Sequence, residues 1–185
     1  MAGAVHAALA DHPDDDTVIL VVHSGAGALV PSIVDGHASP VRAIVFVDAT
    51  LPYPGRRWLA TVPAEMRARL RALADADGVL PRWHEWFPAD VVRDLLPDPT
   101  TRAAFCAEIP RLPLAYFEET APVVDAWVDQ PCGYLQLSAA YDDAAAEARR
   151  RAWPVARHDG HHLSAVTEPA AVAEAILAMA NRLQN

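Results

Sequence analysis

The sequence predicts an α/β protein built on a mostly parallel sheet, and three observations support this. Two short apolar runs rich in Val and Ile, Thr17–His23 and Arg42–Asp48, have the pattern of strands covered on both faces. A helical spacing from Ala28 separates them, so strand, helix and strand follow one another within about thirty residues. The strand pattern returns at Gly133–Ser138 and Trp153–His158. The first two strands should therefore be parallel, with a right-handed crossover between them.

Local start and stop signals predict the other elements of this sheet-and-helix core. Residues 3–10 have the pattern of a helix, which ends before the turn-rich segment His12–Asp16. The helix from Ala28 should end at Asp35-Gly36, because glycine is favoured just after a last helical turn. Ser39-Pro40 then leads into the second strand. Near the C-terminus we expect helices over Asp142–Arg151 and from Thr167 to Leu183.

Residues 51–130 differ in character from the rest of the chain. Prolines recur there at positions where helices would begin, and four of the five tryptophans lie in this stretch. The candidate helices are Ala64–Ala76, Ala89–Leu96 and Thr100–Glu108. We expect residues 1–50 and 131–185 to form the core and residues 51–130 to form a helical cap over the sheet. The alternative is that these helices simply pack against the sheet, since aromatic side chains mostly serve cores.

Composition excludes several classes of function. A chain of 185 residues that is 52% hydrophobic can bury a core without disulfides or metals. Its formal net charge of −9 disfavours nucleic acid, which needs clustered positive charge. All 15 basic residues are arginines, which excludes a Schiff-base or phosphate-loop lysine. Cys106 and Cys132 are expected to be reduced packing residues.

The N-terminus and the apolar runs bear on location. Met1–His6 lacks the basic start and the long apolar core of a signal peptide. The apolar runs are too short to span a bilayer. We therefore expect a cytoplasmic protein with no membrane partner.

A serine lies where the first strand turns into a helix, within Val22-His-Ser-Gly-Ala-Gly27. At such a turn the Ser24 hydroxyl projects from the sheet, and the Gly25 N–H faces any oxyanion formed beside it. Serine is a weak nucleophile and needs a base, and that base needs an acid to fix its tautomer. Gly160-His161-His162 follows the last strand, where an imidazole could reach Ser24. The plainer interpretation is that Ser24 caps the helix.

These motifs resemble the α/β-hydrolase superfamily, and more closely its small actinobacterial members with HSGAG at the elbow and VFVDA on the next strand. The resemblance covers nearly the whole chain and implies a sheet of the α/β-hydrolase type. It also implies that Ser24 is the nucleophile, His161 the base and Gly25 an oxyanion donor. The implied activity is that of a serine hydrolase acting on an ester, thioester or lactone of a small apolar molecule, without a cofactor.

The resemblance leaves the acid open. In this superfamily it usually follows the strand after the cap, which points to Asp142 or Asp143. Some members take it one strand earlier, which here would be Asp48. We prefer Asp142, because the order Ser24, Asp142, His161 suits the usual arrangement. The alternatives are that Asp142 is a helix N-cap and that Asp48 is a structural acceptor at a strand end.

Two features depart from the family pattern. Val22 stands where the family usually has glycine, and its branched side chain should crowd the elbow. The family's sheet also begins with several strands and an oxyanion loop that would precede Met1. The Thr17–His23 strand would then be an exposed apolar edge. Either the chain is an N-terminally shortened version of a larger protein, or a partner subunit, for example in a homodimer, covers that edge.

The remaining histidines suggest two minor interpretations. His23 and His162 are expected to line the pocket beside the nucleophile. A metal cluster of His158, Asp159, His161 and His162 is disfavoured, because the spacing matches none of the usual zinc signatures.

Three other functions fit parts of the sequence. The chain could be a non-catalytic binding protein with a hydrolase-like fold, or it could run lyase or cyclase chemistry on the same scaffold. A Rossmann-type dinucleotide binder would use Gly25-Ala-Gly27 for phosphates and Asp48 for a ribose. That last function leaves Gly160-His161-His162 unexplained.

Overall fold

Parallel strands form the sheet of the computed structural model, which describes residues 2–9, 18–35 and 41–184. In these residues the sheet order is also the chain order: β1 (Val18–Ser24), β2 (Val41–Ala49), β3 (Cys132–Gln136) and β4 (Val155–Arg157). Each strand pairs in parallel with the next one. The predicted parallel α/β fold is therefore confirmed. Because the strands share one direction, their carboxyl ends all lie at one edge of the sheet.

Helices precede, connect and follow the strands, and most of them lie where the sequence signals predict helices. In the described ranges they are α1 (Ala2–Leu9), α2 (Val30–Asp35), α3 (Trp58–Thr61), α4 (Ala64–Leu73), α5 (Ala89–Leu95), α6 (Pro99–Glu108), α7 (Leu114–Glu118), α8 (Asp142–Arg150), α9 (Ser164–Thr167) and α10 (Pro169–Leu183). The turns predicted at His12–Asp16, Gly36 and Ser39-Pro40 lie outside the described residues. None of the helices described here has the length and apolarity that crossing a membrane requires.

The sheet is covered on both faces because successive side chains of a strand point to opposite sides. Ile44 and Phe46 of β2 belong to the apolar cluster that includes residues of α2 and α8. Val45 and Val47 belong to the cluster on the other face, where Met179 of α10 packs. All four β2 side chains are nearly or fully buried, and burying each contributes about 1.5–3 kcal/mol. Because β2 is buried on both faces, its sequence contains the continuous apolar run from which a buried strand was predicted.

The chain divides into two compact units. The core unit comprises Met1–Pro52 and Pro122–Asn185, and the inserted unit comprises Tyr53–Ala121. The inserted unit contains helices α3 to α7 and has its own apolar cluster, whose fully buried members include Leu70 and Leu80. That this unit caps the sheet stays a prediction.

Within the described residues, β1 is one of the two edge strands of the sheet and pairs with β2 alone. The side chain of Val21 on β1 is 44% exposed, which is unusual for a large apolar residue in a strand. A partner subunit that covers this edge stays a prediction.

Candidate active site

Polar side chains gather at the carboxyl edge of the sheet. Ser24 is the last residue of β1, and Asp48 is the last but one of β2. Ser138 follows β3 by two residues, and His162 lies in the loop after β4. Open α/β sheets bind their ligands at this edge. The topology therefore brings together residues that are up to 138 positions apart in the sequence.

Ser24 forms a strained turn between β1 and a short 3₁₀ helix, Gly25–Leu29. Its backbone has φ 57° and ψ −132°, a conformation that residues with a Cβ rarely adopt. The Ser24 carbonyl accepts a hydrogen bond from Thr50 N–H at 3.0 Å, which ties the turn to the end of β2. The Ser24 side chain makes no capping bond to the helix that follows. Ser24 thus stands at the N-cap position, but its hydroxyl does not cap the helix.

The turn needs a small residue at one specific position. A Cβ on Gly27 would collide with the backbone oxygen of Thr50, so this glycine lets the turn pack against the end of β2. A Cβ on Gly25 would meet only open space. Val22 is 4% exposed and belongs to the buried cluster on one face of the sheet. Its branched side chain therefore packs in the core, and the crowding predicted for Val22 is accommodated there.

His162 lies between the serine and an aspartate. Its Nε2 is 3.0 Å from Ser24 Oγ, and its Nδ1 is 2.8 Å from Asp48 Oδ2. An ionised carboxylate only accepts hydrogen bonds, so Nδ1 carries a proton and donates it to Asp48. In the tautomer with its proton on Nδ1, the ring accepts the Ser24 O–H at Nε2. The three side chains form one directed chain of hydrogen bonds.

His161, which was expected to meet Ser24, points elsewhere. Its Nδ1 accepts the Leu163 N–H at 3.2 Å, and its Nε2 lies 3.2 Å from Thr167 Oγ1. The backbone N–H of His161 donates to the Oγ of the buried Ser164 at 2.9 Å. Through these bonds His161 stabilises the turn that leads into α9, and the next residue, His162, is the one that contacts Ser24. The spacing of the motif gave no signal that distinguishes the two histidines.

Asp48 is the carboxylate in contact with His162. The prediction that Asp142 is the acid beside the histidine is therefore wrong. Asp48 is fully buried and accepts hydrogen bonds from the backbone N–H groups of Leu137 at 2.9 Å and Ser138 at 3.0 Å. The Ser138 hydroxyl donates to Asp48 Oδ2 at 2.6 Å. Burial by itself raises the pKa of Asp48, but the hydrogen bonds from His162, Ser138 and Leu137 outweigh burial and hold the pKa below its ordinary value. Asp48 is therefore ionised at neutral pH.

Asp142 and Asp143 are both exposed in the first turn of α8. Asp142 Oδ1 accepts a hydrogen bond from the side-chain amide of Gln136, which is buried at the end of β3. Tyr141, and not Asp142, occupies the N-cap position of α8. Asp142, the acid expected in this segment, thus lies in the first turn of a helix, and Asp48 is the carboxylate beside His162.

The backbone next to Asp48 is held by a buried tyrosine that the sequence reasoning missed. The Tyr134 hydroxyl accepts from Ala49 N–H at 3.0 Å and donates to the Ala49 carbonyl at 2.9 Å. Asp48 itself has a φ of 42°. Tyr134 thus satisfies both polar groups of the residue that follows this strained position.

Two rings enclose the ring of His162. His23 stacks on it at a centroid distance of 4.5 Å and Tyr141 at 5.0 Å. The His23 Nε2–H donates to the His162 carbonyl oxygen at 2.9 Å. Burial first, and the His162 ring second, lower the pKa of His23 below its ordinary value. His23 therefore fits its predicted place as a neighbour of the site, and its ring helps to fix that of His162.

The Tyr141 hydroxyl lies 3.3 Å from Ser24 Oγ. Burial raises the pKa of this phenol above its ordinary value. Tyr141 is not among the site residues predicted from the sequence. The available signal was its position directly before Asp142, in the segment where the acid was expected.

The minor interpretations can also be compared with the structure. His158 contacts Glu168 at 3.1 Å, and the described residues contain no group of three or more His, Cys, Asp or Glu side chains arranged to hold a metal ion. Asp48 is fully buried and hydrogen-bonded to His162, so its carboxylate cannot reach the ribose of a dinucleotide.

Comparisons with known proteins agree with this architecture. The model of the alpha/beta hydrolase family matches residues 2–175. Curated protein sequences gave no match. An extracellular alpha/beta-hydrolase from a Paenibacillus species is 21% identical with a TM-score of 0.76, over 96% of this chain and 77% of that one. A pyrethroid hydrolase from Sphingobium faniae JZ-2 is 18% identical with a TM-score of 0.67, over 97% and 76%. Polyneuridine aldehyde esterase is 12% identical with a TM-score of 0.68, over 97% and 78%.

Proposed function

Because the chain belongs to the alpha/beta hydrolase family, we propose that it is a serine hydrolase that cleaves an ester, thioester or lactone of a small apolar molecule. Ser24 is the nucleophile, His162 the base, and Asp48 the carboxylate that orients His162. The observation that carries this proposal is the directed chain of hydrogen bonds from Ser24 through His162 to Asp48, at 3.0 and 2.8 Å. These distances lie within the range that nucleophile and base need.

In the first half of the reaction the Ser24 Oγ attacks the acyl carbon. The Ser24 proton moves to His162 Nε2, a bond forms between Oγ and the acyl carbon, and the carbonyl electron pair moves onto the carbonyl oxygen. When this centre collapses, the bond to the leaving group breaks and the proton on His162 passes to the departing oxygen or sulfur. Water then repeats the sequence on the acyl-enzyme and releases a carboxylic acid.

Asp48 supports the positive charge that His162 carries between these steps. The carboxylate is ionised because its hydrogen bonds lower its pKa, so it holds the Nδ1 proton and stabilises the imidazolium. Its bonds to the Leu137 and Ser138 backbone fix its position. The ring of His162 therefore keeps the tautomer that a base needs.

The charge that forms on the carbonyl oxygen needs hydrogen-bond donors. The Gly25 N–H is one candidate, because it directly follows the nucleophile at the start of the 3₁₀ helix, and the first N–H groups of a helix have no partner within it. A substitution of Gly25 would leave this donor in place, since the N–H belongs to the backbone.

Two considerations favour a neutral acyl substrate. The formal net charge of −9 opposes the approach of an anionic substrate. Two of the structurally similar proteins are named as an esterase and as a pyrethroid hydrolase, which supports ester-type chemistry for the same scaffold.

The proposal is tested by labelling the folded protein with a fluorophosphonate probe and locating the adduct by mass spectrometry. We expect the adduct on Ser24 and hydrolysis of p-nitrophenyl esters of short acyl chains. Ser24→Ala should abolish both, while Ser32→Ala, a serine of α2 outside the site, serves as the matched control. A folded protein that does not react at Ser24, or that reacts there but hydrolyses no such ester, would refute the proposal.

A further inference from the structure

Tyr141 brings a second hydroxyl to the nucleophile. Its phenol oxygen is 3.3 Å from Ser24 Oγ, although the two residues are 117 positions apart. The Ser24 proton is directed to His162 Nε2, so the Tyr141 O–H is the donor in this contact. From this geometry we propose that Tyr141 is a further catalytic residue, whose hydroxyl donates a hydrogen bond to the oxyanion that forms when Ser24 attacks an acyl carbon. This rests on the hydrolase function proposed above.

The ring of Tyr141 is fixed by two different contacts. It lies nearly parallel to the His162 ring, with an interplanar angle of 11° and a centroid distance of 5.0 Å. Tyr141 is the last residue of a short 3₁₀ turn, Ala139–Tyr141, and its backbone occupies the N-cap position of α8. The position of the phenol oxygen is therefore set before substrate arrives, and such preorganisation is what makes a donor effective. Burial raises the pKa of the phenol, so it retains its proton at neutral pH.

The chemistry of the attack moves the acceptor toward this donor. As the bond between Ser24 Oγ and the acyl carbon forms, the Ser24 proton goes to His162 Nε2 and Oγ becomes a poor acceptor. The carbonyl oxygen is bonded to the same carbon, so it lies next to Oγ and gains the negative charge. The Tyr141 O–H can turn from Oγ to that oxygen while keeping its own proton. Effective donors lie about 2.7–3.1 Å from an oxyanion.

A second tyrosine shows what a purely structural hydroxyl does in this fold. The hydroxyl of Tyr134 donates to the carbonyl and accepts from the N–H of the same residue, Ala49. It serves the backbone. The hydroxyl of Tyr141 contacts the nucleophile, and with the Gly25 N–H it would give the oxyanion two donors.

The experiment compares Tyr141→Phe with the wild type in two assays. Phenylalanine keeps the ring that stacks on His162 and removes only the hydroxyl. We expect kcat for p-nitrophenyl butyrate to fall about 10- to 100-fold with KM changed by less than about twofold. The rate of Ser24 labelling by a fluorophosphonate should fall by a similar factor, since its phosphoryl oxygen also gains charge. Tyr116→Phe, in the inserted unit, is the matched control and should change neither rate.

Each outcome decides the matter. Unchanged kcat and labelling in Tyr141→Phe overturn the proposal, and so does a loss seen only in Tyr141→Leu, because the ring alone would then matter. A wild type that is labelled at Ser24 but hydrolyses no ester refutes the proposed function, yet the labelling rates still test Tyr141. A wild type that is not labelled overturns both.

A second substitution covers the case in which the phenylalanine variant does not fold. Incorporation of 3,5-difluorotyrosine in place of Tyr141 keeps the ring and the hydroxyl but makes the phenol more acidic. The labelling rate should decline at alkaline pH, where the phenol loses the proton that it donates. With the more acidic phenol we expect this decline at a lower pH than in the wild type. An alkaline decline identical to that of the wild type would overturn the proposal.

Discussion

Ser24 and Asp48 lie at the ends of neighbouring parallel strands, and both have positive backbone φ angles, 57° and 42°. The register of the two strands shifts between His23 and Ser24, so that Ser24 pairs with Ala49. A residue with a Cβ in such a conformation costs about 1–3 kcal/mol. The site therefore holds its hydroxyl and its carboxylate in place at the expense of stability.

Replacing Ser24 by glycine should release part of this strain. Glycine adopts the conformation freely, whereas Ser24→Ala keeps the Cβ and the strain. We expect Ser24→Gly to be more stable than Ser24→Ala by about 1 kcal/mol, measured by urea unfolding of the two proteins. Both variants lack the hydroxyl, so neither should react with a fluorophosphonate. Equal urea midpoints for the two variants would contradict a strained backbone at this position.

Substitutions of the two adjacent histidines should affect different properties: activity for His162 and stability for His161. His162→Gln removes the base, so kcat should fall by about 1,000-fold or more. His161→Gln removes the acceptor of the Leu163 N–H, so it should lower stability by about 1 kcal/mol while kcat changes by less than about tenfold. Steady-state kinetics and thermal unfolding of both variants measure this. If His161→Gln loses the activity and His162→Gln keeps it, the base is assigned to the wrong ring.

The two candidate acids should also separate in kinetics. Asp48→Asn leaves the shape of the site intact but cannot hold the Nδ1 proton of His162 in the same way, so kcat should fall about 1,000- to 10,000-fold. Asp142→Asn changes an exposed residue that binds the Gln136 amide, and kcat should stay within a few-fold of the wild type. The assay is p-nitrophenyl ester hydrolysis at saturating substrate. A large loss in Asp142→Asn with an active Asp48→Asn would reverse the assignment.

The centre of the sheet could be predicted from the sequence because β2 and β3 are buried on both faces. Val45 and Val47 pack on one side, and Ile44 and Phe46 on the other, so β2 appears in the sequence as an uninterrupted apolar run. Local signals such as the proline in the first turn of α10 predicted most of the helices, but not the short helices α3, α7 and α9. Hydrophobic patterns and the backbone preferences of residues such as proline can be recognised within short stretches of sequence.

The site was only partly predictable, because its contacts are not local. Ser24 could be identified from the turn that carries it, but His161 and His162 differ only in how the loop after β4 orients two neighbouring rings. The contact of Asp48 with His162 spans 114 positions. This contact depends on the order of the strands in the sheet and on the positive φ of Asp48, and neither can be recognised from the spacing of residues.

His23 should give the fold a measurable dependence on pH. Its pKa is lowered in the folded protein by burial and by the His162 ring, while an unfolded His23 titrates near its ordinary value of about 6.5. As the pH falls below about 6.5, the unfolded chain takes up a proton that the folded one refuses, so stability present above that pH is lost as the pH falls through the folded pKa. His23→Gln cannot titrate and should lose less stability over that range.

The measurement is a series of urea midpoints from about pH 8 to about pH 5 for the wild type and the variants. Glutamine can still donate to the His162 carbonyl, so His23→Gln should match the wild type above pH 6.5. His23→Phe keeps a stacked ring but loses this donor, so it should be less stable by about 1 kcal/mol at every pH while showing the same flatter slope. Wild-type and His23→Gln midpoints that fall in parallel would show that His23 is protonated equally in both states. The pH dependence would then have to come from other groups.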